Sequence, residues 1–133
     1  MTTSFDYEKR EFIRLPIALP VRYKFLSREL SGKDMEQVYE GASQNLGAGG
    51  MLLAGKLPDA AWLGKLLTRR MYVGVNLALP NSDAPIKALC RVTWASAVQG
   101  GTNQLMMGLE FQEITSRDRD CITQYIIKAQ MPH

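Results

Sequence analysis

After the first 15 residues, apolar and polar positions alternate in short runs separated by turn-forming clusters, the period of strands rather than helices. Val21, Tyr23 and Phe25 alternate with Arg22 and Lys24, which predicts a first strand with one buried and one wet face. Ser27 to Asp34, centred on Ser31-Gly32-Lys33-Asp34, reads as a polar turn, and Met35 to Ala42 then predicts a second strand carrying Val38 and Tyr39 toward Asn45. Gly47-Ala48-Gly49-Gly50 is too glycine-rich for a helix interior and predicts a tight turn into a third strand from Met51. A single helical turn over Leu57–Leu63, before Gly64, precedes a fourth strand over Tyr72–Leu79. The turn Pro80–Pro85 leads into a fifth, where Ile86, Ala88, Cys90, Val92 and Trp94 alternate with Lys87, Leu89, Arg91 and Thr93. Gly100-Gly101-Thr102-Asn103 closes a hairpin onto the sixth run, Leu105, Met107, Leu109 and Phe111.

The period then changes. Thr115-Ser116-Arg117-Asp118 has the form of a helix cap, and Ile122, Tyr125, Ile126 and Ala129 recur at helical spacing before Pro132. Six short antiparallel strands cannot bury a two-sided core as a flat sheet. The expected fold is therefore all-β with one helix: a six-stranded antiparallel β-barrel with a C-terminal α-helix over one opening.

Composition narrows the function classes. The 133 residues suit one domain, and 46% hydrophobic against 22% charged residues excludes a disordered chain or a coiled coil. No apolar run approaches the roughly 18 residues that span a bilayer, and Met1–Arg10 has no signal-peptide core. The expectation is a cytoplasmic protein without membrane insertion. Cys90 and Cys121 lack metal or redox spacing and read as buried or half-buried thiols. The only histidine is His133, the last residue, which excludes histidine-dependent nucleophilic catalysis and a histidine metal site within the fold. Glu8, Glu11, Asp34, Glu36, Glu40, Glu110 and Glu113 offer no spacing that marks an acid–base pair, so neither an enzyme nor a resident cofactor is expected.

The net charge of +3 is concentrated at the N-terminus, where Lys9, Arg10, Arg14, Arg22, Lys24 and Arg28 face Asp6, Glu8 and Glu11. That excess is small and mixed in sign, which suits a compact anion better than a polynucleotide. Arg10-Glu11-Phe12-Ile13-Arg14 places two guanidinium forks four residues apart before the first strand, with Pro16 and Pro20 discouraging a continuous helix. Such forks match phosphate oxygens and guanine edges and stack on bases, although an Arg-x-x-x-Arg pair alone is more often a solvated basic linker. In Asn45-Leu46-Gly47-Ala48-Gly49-Gly50 the glycines permit positive φ or close approach of a ligand, yet alone it is also an ordinary β-turn and lacks P-loop spacing.

Taken in order, Arg10-x-x-x-Arg14, Asn45-x-Gly47-x-x-Gly50, Val92-x-Trp94, Met107-Gly108-Leu109-Glu110-Phe111 and a final helix resemble the PilZ domain family across about residues 8–130. The flanking residues 1–7 and 131–133 are read as tails. The resemblance implies a six-stranded barrel that binds the bacterial second messenger cyclic di-GMP. It further implies that Arg10 and Arg14 clasp guanines and phosphates, that Asn45 and Gly50 shape the barrel side of the site, and that Trp94 stands near it. Lys9 occupies the position that in the family influences whether one nucleotide or a stacked pair is bound. The family's pattern has serine where this chain has Gly47, which removes one ligand hydroxyl contact.

The implied role is a cyclic di-GMP receptor that closes its N-terminal arm over the nucleotide and signals to a protein partner in motility or biofilm regulation. The alternative is a degenerate PilZ-like adaptor, blind to nucleotide, acting through protein contacts. A small nucleic-acid-binding barrel would draw on Tyr23, Tyr39 and Tyr72 as stacking platforms. No DNA or RNA partner is expected, because these tyrosines lie where core or rim packing accounts for them.

Overall fold

Val21, Tyr23 and Phe25 do point into a common core, and so do Leu53, Val73, Val75, Met107 and Leu109 from other strands. The structure is a computed structural model that describes residues 14–80, 82–97 and 104–131. In chain order the elements are β1 (Pro20–Ser27), α1 (Lys33–Glu36), β2 (Tyr39–Leu46), β3 (Gly50–Lys56), α2 (Trp62–Leu67), β4 (Met71–Leu77), β5 (Ile86–Ala97), β6 (Gln104–Ile114) and α3 (Ser116–Gln130). The strands close into a barrel in the order β1-β2-β3-β6-β5-β4, every pair antiparallel. Closure leaves a single interior, and the alternation of each strand fills it from all sides.

Tyr23, Phe25, Tyr39 and Trp62 form one aromatic cluster with ring centroids 5.3 to 5.7 Å apart. Tyr23 satisfies its buried hydroxyl by donating to the Lys56 carbonyl at 2.7 Å. Burial of Tyr23 and Tyr39 removes two of the three tyrosines on which base stacking would depend. Cys90 and Cys121 are free thiols, the first buried and the second half-buried, as their sequence contexts predict. Among the described residues no helix is long and apolar enough to cross a membrane.

Three local expectations change. Met35 belongs to α1, not to a strand, and its side chain is buried while Val38 stands exposed; β2 begins only at Tyr39. One four-residue turn of helix has too few positions to show a period. The helix expected over Leu57–Leu63 lies later, at Trp62–Leu67, and runs through Gly64, because Trp62 and Leu66 insert into the core beside Phe25. The fourth strand ends at Leu77, two residues early, with Leu79 still buried.

Helix α3 starts as expected, with Thr115 Oγ1 accepting from the Asp118 N–H at 3.1 Å. Asp118 Oδ2 in turn accepts from the Lys87 N–H at 3.1 Å, which ties the first turn of α3 to the start of β5. Ile122 and Ile126 are buried and Tyr125 packs beside them, whereas Ala129 is exposed. The expected hairpin at Gly100–Asn103, together with Lys9 and Arg10, lies outside the described residues.

Candidate ligand-binding face

The segment before β1 is pinned to the end of β2 by backbone and by one buried hydroxyl. Leu15 and Leu46 exchange both backbone hydrogen bonds, at 2.7 and 2.9 Å. Ser43, fully buried, accepts from the Leu19 N–H at 2.9 Å and donates to the Ile17 carbonyl at 2.7 Å, while its own N–H reaches the Leu19 carbonyl. This clamp delivers Arg14 to the β2–β3 corner. There Asn45 Oδ1 accepts from the Leu52 N–H at 3.1 Å and from Arg14 Nη1 in a longer 3.4 Å contact. Ser43 carries no signal in the sequence, since a lone serine in a strand reads as an outward polar position.

Two of the three register slips among these strands decide which side chains face outward at this corner. The β2–β3 register slips between Ser43 and Asn45, and the β5–β6 register slips between Val92 and Trp94. Each surplus residue moves the side chains beyond it to the other face of the sheet. Ser43 and Val92 therefore point inward, while Asn45 and Trp94 join the outer surface. Strict alternation places Trp94 in phase with core residue Val92; instead its side chain is 46% exposed. The registers Asn45↔Leu52, Leu52↔Gly108 and Trp94↔Gly108 place these residues in one row across β2, β3, β6 and β5.

The glycines of the turn act by closeness, not by handedness. None of Gly47, Gly49 and Gly50 has a left-handed backbone. A Cβ at Gly50 would run into the Leu109 carbonyl, so the absence of a side chain lets β3 approach β6. The Gly47 N–H donates to the Gly50 carbonyl at 2.9 Å, and the Phe111 N–H donates to the Gly49 carbonyl at 2.9 Å, fixing the turn against β6. Gly50 thus has a packing role that the expectation of ligand approach did not contain.

Beside the row lies a cleft of about 390 Å³ lined by Arg14, Gly49, Thr93, Glu110, Phe111 and Arg119. Glu110 is held by Arg91, whose Nε donates to Oε1 at 2.6 Å across the β5–β6 register. Glu110 belongs to the Met107–Phe111 motif, but its pairing with Arg91 and the approach of Arg119 carry no sequence signal, because they depend on register and on the helix docking. A larger groove of about 660 Å³ lies on the β1–β4–β5 wall over Gly74 and contains none of Arg14, Asn45, Gly47, Gly50 and Trp94. Arg14, Asn45 and the Gly47–Gly50 turn therefore meet at one corner, and Trp94 shares their outer surface at the far end of the row.

The chain matches the family model described as the PilZ domain over residues 8–128. Among solved structures it is similar to the Bacillus subtilis inhibitor of motility, MotI/DgrA, with a TM-score of 0.64 and 21% identity. That alignment covers 92% of this chain and 51% of the other, so the chain spans about half the length of that protein. It is also similar to the PilZ domain of CeSA from a cellulose-synthesizing bacterium, with a TM-score of 0.50 and 14% identity, covering 90% of this chain and 99% of that one. At these identities the two structures speak to the fold alone. No curated protein matches the chain in sequence.

Proposed function

Because the chain belongs to the PilZ domain family, we propose that it is a receptor for cyclic di-GMP, bound on the outer barrel face between the Arg14 corner and Trp94. PilZ domains are non-catalytic receptor or adaptor modules, and the chain's role is accordingly one of binding, not of reaction. The observation that carries the reading is the anchoring of Arg14 beside Asn45, on the same outer surface as an exposed indole. An anionic dinucleotide needs forked cationic donors for its phosphates and flat faces for its bases, and this surface offers both. Arg14 supplies the fork, Trp94 the flat face, and Asn45 holds Arg14 in register while bonding the Leu52 amide. Lys9 and Arg10 join from the arm before residue 14, with Gly47 and Gly50 forming the turn beneath. Closing that arm over the nucleotide creates a new surface, which is the means of signalling to a protein partner.

Gly47 in place of serine weakens the site without dismantling it. A neutral hydrogen bond contributes about 0.5–1.5 kcal/mol net, whereas each bond from a charged group contributes about 1.5–3 kcal/mol. The arginines outweigh the missing hydroxyl. A nucleotide-blind adaptor is the second reading, favoured by one observation: Asn45 Oδ1 is already engaged by Leu52 and Arg14.

Isothermal titration calorimetry with cyclic di-GMP separates the two, with GTP and linear diguanylate as controls. Micromolar or tighter binding that disappears in Arg14→Ala supports the receptor; absence of heat in the wild type leaves the adaptor.

A further inference from the structure

We infer that Arg119, on the first turn of α3, is a second ligand-contacting cation of this site, so that nucleotide binding joins the N-terminal arm to the C-terminal helix. The inference rests on the receptor reading above. Arg119 lines the same cleft as Arg14, but it comes from an element at the opposite end of the chain. A cyclic dinucleotide carries two phosphodiester groups on a ring, so cations presented by two separate elements can each take a share of the phosphate oxygens.

The charges in the cleft favour an anion. Among the described residues, neither Arg14 nor Arg119 has a carboxylate within ion-pair distance. The carboxylate that shares the cleft, Glu110, is occupied by Arg91 at 2.6 Å. The cleft lining thus carries two guanidinium groups, Arg14 and Arg119, and one carboxylate that Arg91 pairs from beside it. Elsewhere Lys65 and Arg70 are both committed to Glu29, and none of the three lines the cleft.

The base from which Arg119 projects is well fixed. Its N–H donates to the Thr115 carbonyl at 3.0 Å, Thr115 caps Asp118, and Asp118 holds the Lys87 amide. Phe111, on the strand that leads into α3, is buried at the same cleft and bonded to Gly49 of the turn. The rest of α3 is more lightly seated, with only Ile122 and Ile126 buried along its 15 residues. A phosphate held between Arg14 and Arg119 would therefore restrain a helix whose own packing is modest, and the helix becomes part of the ligand-dependent surface.

The test is calorimetry with cyclic di-GMP on the full chain as wild type, Arg119→Ala, Arg119→Lys and Arg117→Ala, paired with hydrogen exchange of α3 with and without nucleotide. Arg119 is exposed, so circular dichroism is expected to show all four folded. The expected result is about ten-fold or greater weakening in Arg119→Ala, partial retention in Arg119→Lys and no change in Arg117→Ala. Ligand-dependent protection of the first turns of α3 should appear in the wild type and vanish in Arg119→Ala. Affinity of Arg119→Ala within two-fold of wild type, with Arg14→Ala still losing binding, overturns the inference and leaves the receptor reading in place. A wild type that binds no cyclic di-GMP removes both.

Discussion

The indole of Trp94 covers Gly108 on the neighbouring strand, filling the space that any side chain at that position would need. Gly50 is crowded differently: a Cβ there would meet the Leu109 backbone carbonyl. A side chain can swing away, whereas a paired strand cannot move without breaking its ladder. Gly108→Ala should therefore cost little stability but change the environment of Trp94, read as altered tryptophan fluorescence in a Trp62→Phe background. Gly50→Ala should lower stability by about 1–3 kcal/mol in urea unfolding. Equal losses for the two would show that Trp94 is as immovable as the strand.

Ser43→Ala removes the hydroxyl that serves both Ile17 and Leu19. One buried N–H is left without an acceptor, which costs about 1–3 kcal/mol. The expected outcome is a lower urea midpoint together with faster amide exchange over residues 15–19. Exchange confined to that segment would identify the clamp, while unchanged exchange there would refute it.

Arg14→Ala should behave in the opposite way. Arg14 is exposed and its only hydrogen bond among the described residues is the long contact to Asn45. Thermal unfolding should be unchanged within error, while affinity for cyclic di-GMP falls by about ten-fold or more. A large drop in melting temperature would recast Arg14 as a structural residue.

The barrel should weaken in alkali. Burial pushes the Cys90 thiol up from 9.0 to about 12, and burial likewise pushes the Tyr23 phenol up from 10.0 to about 12. Both folded values lie above the unfolded ones, so the native state holds protons that the unfolded chain releases. Stability is fully present below pH 9, then falls as the pH rises toward 12, with about 1 kcal/mol lost from Cys90 by pH 10. Urea midpoints measured from pH 8 to 10.5 check this, and Cys90→Ala should flatten the lower part of the slope. An identical slope in that variant would remove the thiol as the cause.

Much of the barrel was legible because a closed sheet with one interior enforces the simple alternation seen at Val21, Tyr23 and Phe25. Legibility failed where the chain departs from strict period two. The surplus residues near Asn45 and Trp94 invert the phase without altering composition, so strict alternation alone sets Trp94 in phase with the core, whereas it stands in solvent in the fold. Arg14, Asn45 and the glycine turn could be named as candidates from the family resemblance that the ordered motifs carry, not from either spacing alone. Ser43 and Arg119 could not, since their roles arise only when segments far apart in sequence are brought into register. The short helix at Lys33–Glu36 left no trace for a related reason: a single turn presents one buried residue, Met35, and one residue has no period.

The ring order β1-β2-β3-β6-β5-β4 has a further consequence for recognition. A sheet with open sides can recruit another protein by main-chain pairing, extending itself by one strand with little regard for sequence. A cylinder whose first and last strands already pair offers no such seam along its paired length. Whatever docks on this wall must read side chains, so on the receptor reading proposed above its recognition is open to gating by a ligand held among them, in a way that backbone zippering is not.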